Sequence, residues 1–219
     1  MSFRRPSSPY RRPEQRRATV AESTAILDLE PPARQLTTLL SGVTDDQLSA
    51  RTPCEEYTVG DLLDHLMGLT VAFRDAATKT SRPMSGGPPK ASVAHLDADW
   101  RSRLPAQLDA LVAAWRDPGA WEGTTEVGGV TLPGAVAGQF GMNELVIHGW
   151  DLARATGQPF ECDPRSTEAI FALLSQSADA DRGEGPFGPV VDVPPDAPLL
   201  DRAIGLSGRD PSWTSRAVA

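Results

Sequence analysis

The chain has 219 residues, 40% of them apolar and 6% aromatic, enough for one well-buried core with a smaller appendage. No run approaches 18 consecutive apolar residues, and no apolar stretch follows the arginine-bearing start, so neither a membrane span nor a secretory signal is expected. Of the net charge of −8, residues 1–17 contribute +5 and the remainder −13, and so acidic a body argues against nucleic-acid binding, which requires clustered basic residues.

Residues 1–22 read as a disordered Arg/Pro-rich arm, since Pro6, Pro9 and Pro13 oppose a helix; contact of its arginines with nucleic acid or anionic lipid is the alternative. The spacing then predicts a first amphipathic helix from Thr24 to Leu40. Leu29, Leu36, Leu39 and Leu40 form its apolar face, Pro31 and Pro32 lie near its first turn, and Gly42 is a natural C-cap. A loop over Val43 to Tyr57 follows. The second helix opens on Thr58 as N-cap, with Asp61 three residues on, and runs to Lys79; Leu62, Leu66, Leu69 and Phe73 trace one stripe that includes His65. Residues 81–92, rich in Gly and Pro, read as a mobile loop.

A third helix is expected from Val93 to Trp115, with Leu96, Trp100, Leu104, Leu108, Leu111 and Trp115 inward and Pro105 kinking or splitting it. Gly128-Gly129 between short β-branched runs predicts a small hairpin over Thr124 to Leu132. The fourth helix runs from Pro133 to a C-cap at Gly157, apolar on more than one side and therefore central. A fifth helix, Pro164 to Ser177, a Gly/Pro-rich stretch, Gly183 to Pro198, and a short helix, Leu199 to Leu206, complete the chain. The expectation is an all-α four-helix bundle over residues 23–160, with an irregular, partly helical extension, 161–219, packed on it.

Glu144 and His148 stand four residues apart on the fourth helix, which places both on one face with Cβ atoms about 5–6 Å apart. A carboxylate and an imidazole so spaced can chelate one metal ion. The spacing alone is common on solvated helices. Its setting among Phe140, Leu145, Val146 and Ile147 adds weight, because a partly buried carboxylate needs a partner. Taken alone, His65 reads as a core histidine bonded to backbone. Yet there are only three histidines, and two of them sit with this glutamate on helices that a bundle brings together. The expected site is therefore a divalent metal held by His65, Glu144 and His148, with a coordination position left open. Asp151, one turn beyond His148, is either a hydrogen-bond acceptor that orients the imidazole, or an ion-pair partner of Arg154 or a solvent-facing acid. His95 reads as a surface histidine. Cys54, near the start of the second helix, is a small buried cysteine or a stabilised thiolate, and Cys162 has no supporting neighbours. With no C-x-x-C spacing, no disulfide framework is indicated and a reducing cytoplasm fits. There is no G-x-S-x-G, P-loop or dinucleotide fingerprint.

Two segments resemble one known family. Thr52-Pro53-Cys54, Thr58-Val59 and Asp61-Leu62-Leu63-Asp64-His65 are similar to the opening of the mycothiol-dependent maleylpyruvate isomerase metal-binding domain, of the DinB-like superfamily. Asn143-Glu144-Leu145-Val146-Ile147-His148-Gly149-Trp150-Asp151-Leu152-Ala153, with Ala155-Thr156-Gly157, resembles its second motif. The resemblance spans Leu27 to Gln158, and the end, from Phe187-Gly188-Pro189 to Gly208-Arg209-Asp210-Pro211-Ser212-Trp213, looks like an actinobacterial subfamily of metal-binding proteins. It implies a DinB-like four-helix bundle, zinc or nickel on His65, Glu144 and His148, and mycothiol as the thiol cofactor acting on an electrophilic substrate. Tyr57 stands where the motif usually has Trp, and Gly60 where Arg is common. The isomerase also has a C-terminal domain that supplies an arginine to substrate, and the residues after Gln158 do not look like that domain. Three functions remain open: a mycothiol-using transferase or isomerase, a non-catalytic, stress-related metal or ligand binder, and metal-assisted hydrolysis by bound water, for which the sequence offers no dedicated general base. A homodimer is compatible with each.

Overall fold

The computed structural model describes residues 26–80, 90–176 and 188–215. The arm at 1–22, most of the loop at 81–92 and part of the Gly/Pro-rich stretch lie outside the described residues. Six helices make up the fold: α1 Glu30–Ser41, α2 Val59–Ala77, α3 Trp100–Trp115, α4 Gly134–Thr156, α5 Pro164–Ser175 and α6 Leu199–Leu206. One antiparallel hairpin, β1 Thr124–Val127 with β2 Val130–Pro133, precedes α4. Helices α1 and α2 each pack against both α3 and α4, so the four close a bundle; α5 lies on α4 and α6 on α5. This is the all-α architecture expected from the periodicity.

Local chemistry accounts for the boundaries. The α1 helix begins at Glu30, six residues later than the spacing suggested, because Pro31 and Pro32 fit only at a helix start, where their missing N–H groups cost nothing. Its C-cap is Gly42, but in right-handed geometry; Gln158 Nε2 donates to the Leu39 carbonyl at 3.0 Å and helps close that end. Thr58 and Asp61 form the anticipated capping box, the Thr58 N–H reaching Asp61 Oδ2 at 3.0 Å and the Asp61 N–H reaching Thr58 Oγ1 at 3.3 Å, an arrangement worth about 1 kcal/mol.

The third helix departs most from expectation. It starts at Trp100, and Val93–His95 form a separate 3-10 turn. Two carboxylates on α2 hold that turn, which ends at an extended Leu96: Asp64 Oδ2 accepts from the Ser92 N–H at 3.0 Å and Asp61 Oδ1 from the Val93 N–H at 2.7 Å, which ties this segment to α2. Nor does Pro105 split α3; the helix continues through its second turn with the Arg101 carbonyl forgoing its ordinary donor. The hairpin is present, turned by Gly128 and Gly129 at φ of 59° and 85°, the left-handed pair a two-residue turn requires.

The core runs through all four bundle helices. Leu36, Leu62, Leu63, Leu66, Leu104, Leu108, Val146 and Leu152 are wholly enclosed, and α4 is buried on most of its circumference, as its apolar pattern implied. Trp100 and Trp115 are core residues, and Trp121 packs half-buried against Trp115.

Candidate metal centre

Helix α2 presents His65 about two turns after its capped start, and α4 presents Glu144 and His148 from one face. Because the two helices pack directly, the three side chains converge. His65 Nε2 lies 3.4 Å from Glu144 Oε2 and His148 Nε2 lies 3.2 Å from the same oxygen. One donor atom from each residue falls within 4.8 Å of the others. Ligand atoms about 2.0–2.1 Å from a tetrahedral zinc ion stand roughly 3.3 Å apart, so this donor set fits one ion with little movement. The imidazoles meet edge to face, centroids 4.9 Å apart. His148 is enclosed, whereas His65 and Glu144 keep 28% and 21% of their side chains exposed, so the cluster opens to solvent on one side.

Both outer nitrogens have partners. His148 Nδ1 is 3.0 Å from Asp151 Oδ2. An ionised carboxylate only accepts, so Nδ1 carries a proton, and Nε2 is the nitrogen turned toward Glu144, able to bind an ion once its own proton leaves. Tyr57 Oη is 3.5 Å from His65 Nδ1, and its ring lies 5.2 Å from the His65 ring. The loop that holds Tyr57 is fixed by the buried Thr52, whose Oγ1 is 2.9 Å from the Cys54 carbonyl and 2.8 Å from that of Tyr57.

Asp151 does not pair with Arg154, the alternative considered from sequence. Arg154 lies over the Trp150 ring and donates to the Pro211 carbonyl at 2.5 Å. The cation on Asp151 is Arg209, which spacing arguments missed: Nη2 to Oδ2 at 3.1 Å and Nε to Oδ1 at 3.4 Å. It lies 58 positions away, beyond any helical rule, and the only hint was its place in a Gly-Arg-Asp-Pro turn. His95 is an exposed surface residue, 3.9 Å from Asp64 and apart from the cluster. Cys54 is half-buried, and burial pushes its thiol up despite the nearby Arg209 cation, so the stabilised-thiolate alternative fails. Burial likewise raises Cys162 to about 11.

The electrostatics of the metal-free cluster are those of a carboxylate between imidazoles. Burial pushes Glu144 up, but hydrogen bonds from His148 and His65 outweigh it and hold the carboxyl well below its usual range. Burial pushes His148 down, but Asp151 and Glu144 outweigh it and raise the imidazolium to about 9. Since this lies above the ordinary 6.5, the charge stabilises the metal-free fold fully below pH 6.5, and that support is lost as pH rises through about 9. A coordinating imidazole must be neutral, so an ion entering at pH 7 displaces this proton. We expect release of about one proton per ion at pH 7, with affinity rising about tenfold per pH unit until it flattens near pH 9. Calorimetry in buffers of different ionisation enthalpy reads this, and a flat profile from pH 7 to 9 would contradict it.

Residues 29–153, more than half of the chain, match the family model of the mycothiol maleylpyruvate isomerase N-terminal domain. The chain belongs to this family. Among relatives in the curated proteins, the uncharacterized protein Rv0738 of Mycobacterium tuberculosis strain H37Rv is 29% identical over 184 residues, covering 78% of this chain and 90% of the relative. The uncharacterized protein MT0763 of strain CDC 1551 / Oshkosh matches to the same extent. Among solved structures, the crystal structure of the mycothiol-dependent maleylpyruvate isomerase superposes with a TM-score of 0.61 at 20% identity, covering 84% of this chain and 88% of that one. A histidine-to-alanine mutant of that isomerase gives a TM-score of 0.53 at 19% identity, covering 67% and 66% of the two chains. At these identities the likeness shows the fold, which is DinB-like and all-α, and it extends past the 29–153 family match. Among the described residues, no helix is long and apolar enough to cross a membrane.

Proposed function

We propose that this member of the mycothiol maleylpyruvate isomerase N-terminal domain family binds one divalent ion, zinc or nickel, on His65, Glu144 and His148. On this reading it uses the site for thiol chemistry, as a mycothiol-dependent transferase or isomerase of the cytoplasm. The observation that supports the reading is the convergence of three donor atoms, with Glu144 Oε2 3.4 Å and 3.2 Å from the two imidazole nitrogens. Three protein donors are the pattern of a site that binds water or substrate, since structural zinc closes all four positions with protein groups. Imidazole and carboxylate accept zinc and nickel alike. Bound there, the ion would supply Lewis acidity and lower the pKa of a coordinated thiol.

The chain's own residues have definite parts. Asp151 holds the Nδ1 proton of His148 and so aims its Nε2 at the shared point. Tyr57 stands over His65 at the edge of the cluster, with its hydroxyl able to donate to a ligand there. Burial pushes the Tyr57 phenol up, which keeps it protonated at neutral pH.

Metal analysis of the purified, reconstituted protein tests the first half. One ion per chain is expected, and less than about 0.1 per chain would end the reading. Cobalt substitution tests the second. Mycothiol is expected to produce a thiolate-to-cobalt charge-transfer band and to be conjugated to members of an electrophile panel. A tightly held cobalt ion whose spectrum no thiol perturbs would instead make the chain a non-catalytic metal binder.

A further inference from the structure

The C-terminal segment does more than cover the bundle. Arg209 follows α6 and reaches Asp151 on α4, whose side chain is fully enclosed. All three of its guanidinium nitrogens make a hydrogen bond: Nη2 and Nε donate to the two Asp151 oxygens at 3.1 Å and 3.4 Å, and Nη1 donates to the Ser207 carbonyl at 3.0 Å. Oδ2 of Asp151 thus accepts from Arg209 and from His148 Nδ1 at once. The result is one continuous chain of contacts from the extension, through Asp151 and His148, to Glu144.

The attachment is made in both directions. Arg154 on α4 donates to the Pro211 carbonyl of the same segment, and Trp213 packs half-buried against the core. Two arginines therefore cross between α4 and the turn at 208–211, one from each side. An enclosed carboxylate without a cation turns or draws in water, and the imidazole it steers loses its fixed orientation. A bidentate guanidinium prevents this by fixing both oxygens.

We propose that Arg209 is a positioning residue for the metal centre: by clamping Asp151 it fixes the ring of His148, so that docking of the C-terminal segment sets the affinity of the site for its ion. The proposal rests on the metal reading above. It is tested with zinc alone, by competition against a chromogenic chelator, on the full-length wild type, Arg209→Met, Arg209→Lys and Asp151→Asn. Far-UV circular dichroism confirms the folded fraction of each, and cobalt ligand-field spectra report geometry. Arg209→Met is expected to weaken zinc binding by about 10–100-fold, the usual worth of a group that supports a ligand histidine, and to alter the cobalt bands. Arg209→Lys should recover part of the loss, because an ammonium keeps the charge and one hydrogen bond. Arg209→Met combined with Asp151→Asn should bind no more weakly than the weaker single variant, since both cut the same chain. A wild type that binds zinc with an Arg209→Met variant of equal affinity overturns this proposal alone. So does a loss seen only as fewer binding-competent molecules with unchanged affinity, which would mark Arg209 as structural. A wild type that binds no zinc overturns the metal reading itself, and this proposal with it.

Discussion

His148→Ala is expected to weaken metal binding by more than about 100-fold, beyond the upper end of what a hydrogen-bonded supporting group contributes, and to leave the fold intact. His148 is the most enclosed of the three donors, with 8% of its side chain exposed against 28% for His65. It also connects Glu144 to the Asp151–Arg209 pair. Its removal leaves two donors on separate helices, Glu144 and His65, which no longer surround an ion. The fold should survive because Asp151 keeps Arg209 and Glu144 keeps His65, so no enclosed charge is orphaned. Zinc competition and metal analysis read the effect, with His95→Ala as control: that histidine is 63% exposed and apart from the cluster, and its loss should change nothing. Wild-type affinity in His148→Ala, or an equal loss in His95→Ala, would remove the site from α4.

The largest effect on stability is expected at Trp115. Its side chain is 2% exposed, its indole N–H donates to the Phe73 carbonyl of α2 at 3.1 Å, and its ring meets Trp121 edge-on at 4.9 Å. Trp121 Nε1 in turn donates to the Trp115 carbonyl at 2.8 Å, and the pair closes over Gly138 of α4, where an added Cβ would lie only 2.9 Å from the Trp115 ring. One side chain thus joins α2, α3 and α4. Trp115→Ala should cost about 4 kcal/mol, through lost burial and a cavity that rigid helices cannot fill. For a chain of this size that is a drop in melting temperature of about 10 °C. Trp115→Phe keeps most of the ring and loses the hydrogen bond, so roughly 1–2 kcal/mol is expected. Thermal unfolding of the metal-free proteins measures both. A cost under about 1 kcal/mol for the alanine variant would mean that the bundle closes without this contact.

The helices, the hairpin and the bundle were legible in the order of residues, because each rests on short-range rules. Periodicity of 3.6 marked α2 and α4, the Thr58–Asp61 pair marked a start, and Gly128-Gly129 marked a two-residue turn. The start of α3 was not legible. The turn before it is tied to α2 by Asp61 and Asp64, about 30 residues earlier, and propensity says nothing about a partner at that distance. Glu144 and His148 could be paired on paper because one helix carries both at a spacing of four. That His65 faces them, Nε2 toward the same oxygen, depended on how α2 lies along α4. The sequence by itself determined which side chains could ligate an ion and which helix each one rides on, since both follow from residue type and period. Only tertiary packing decided that three of them share one point and that the cation on Asp151 is Arg209 and not its near neighbour Arg154. Such choices depend on distances between elements, and those come from how the enclosed surfaces fit together, not from separation along the chain.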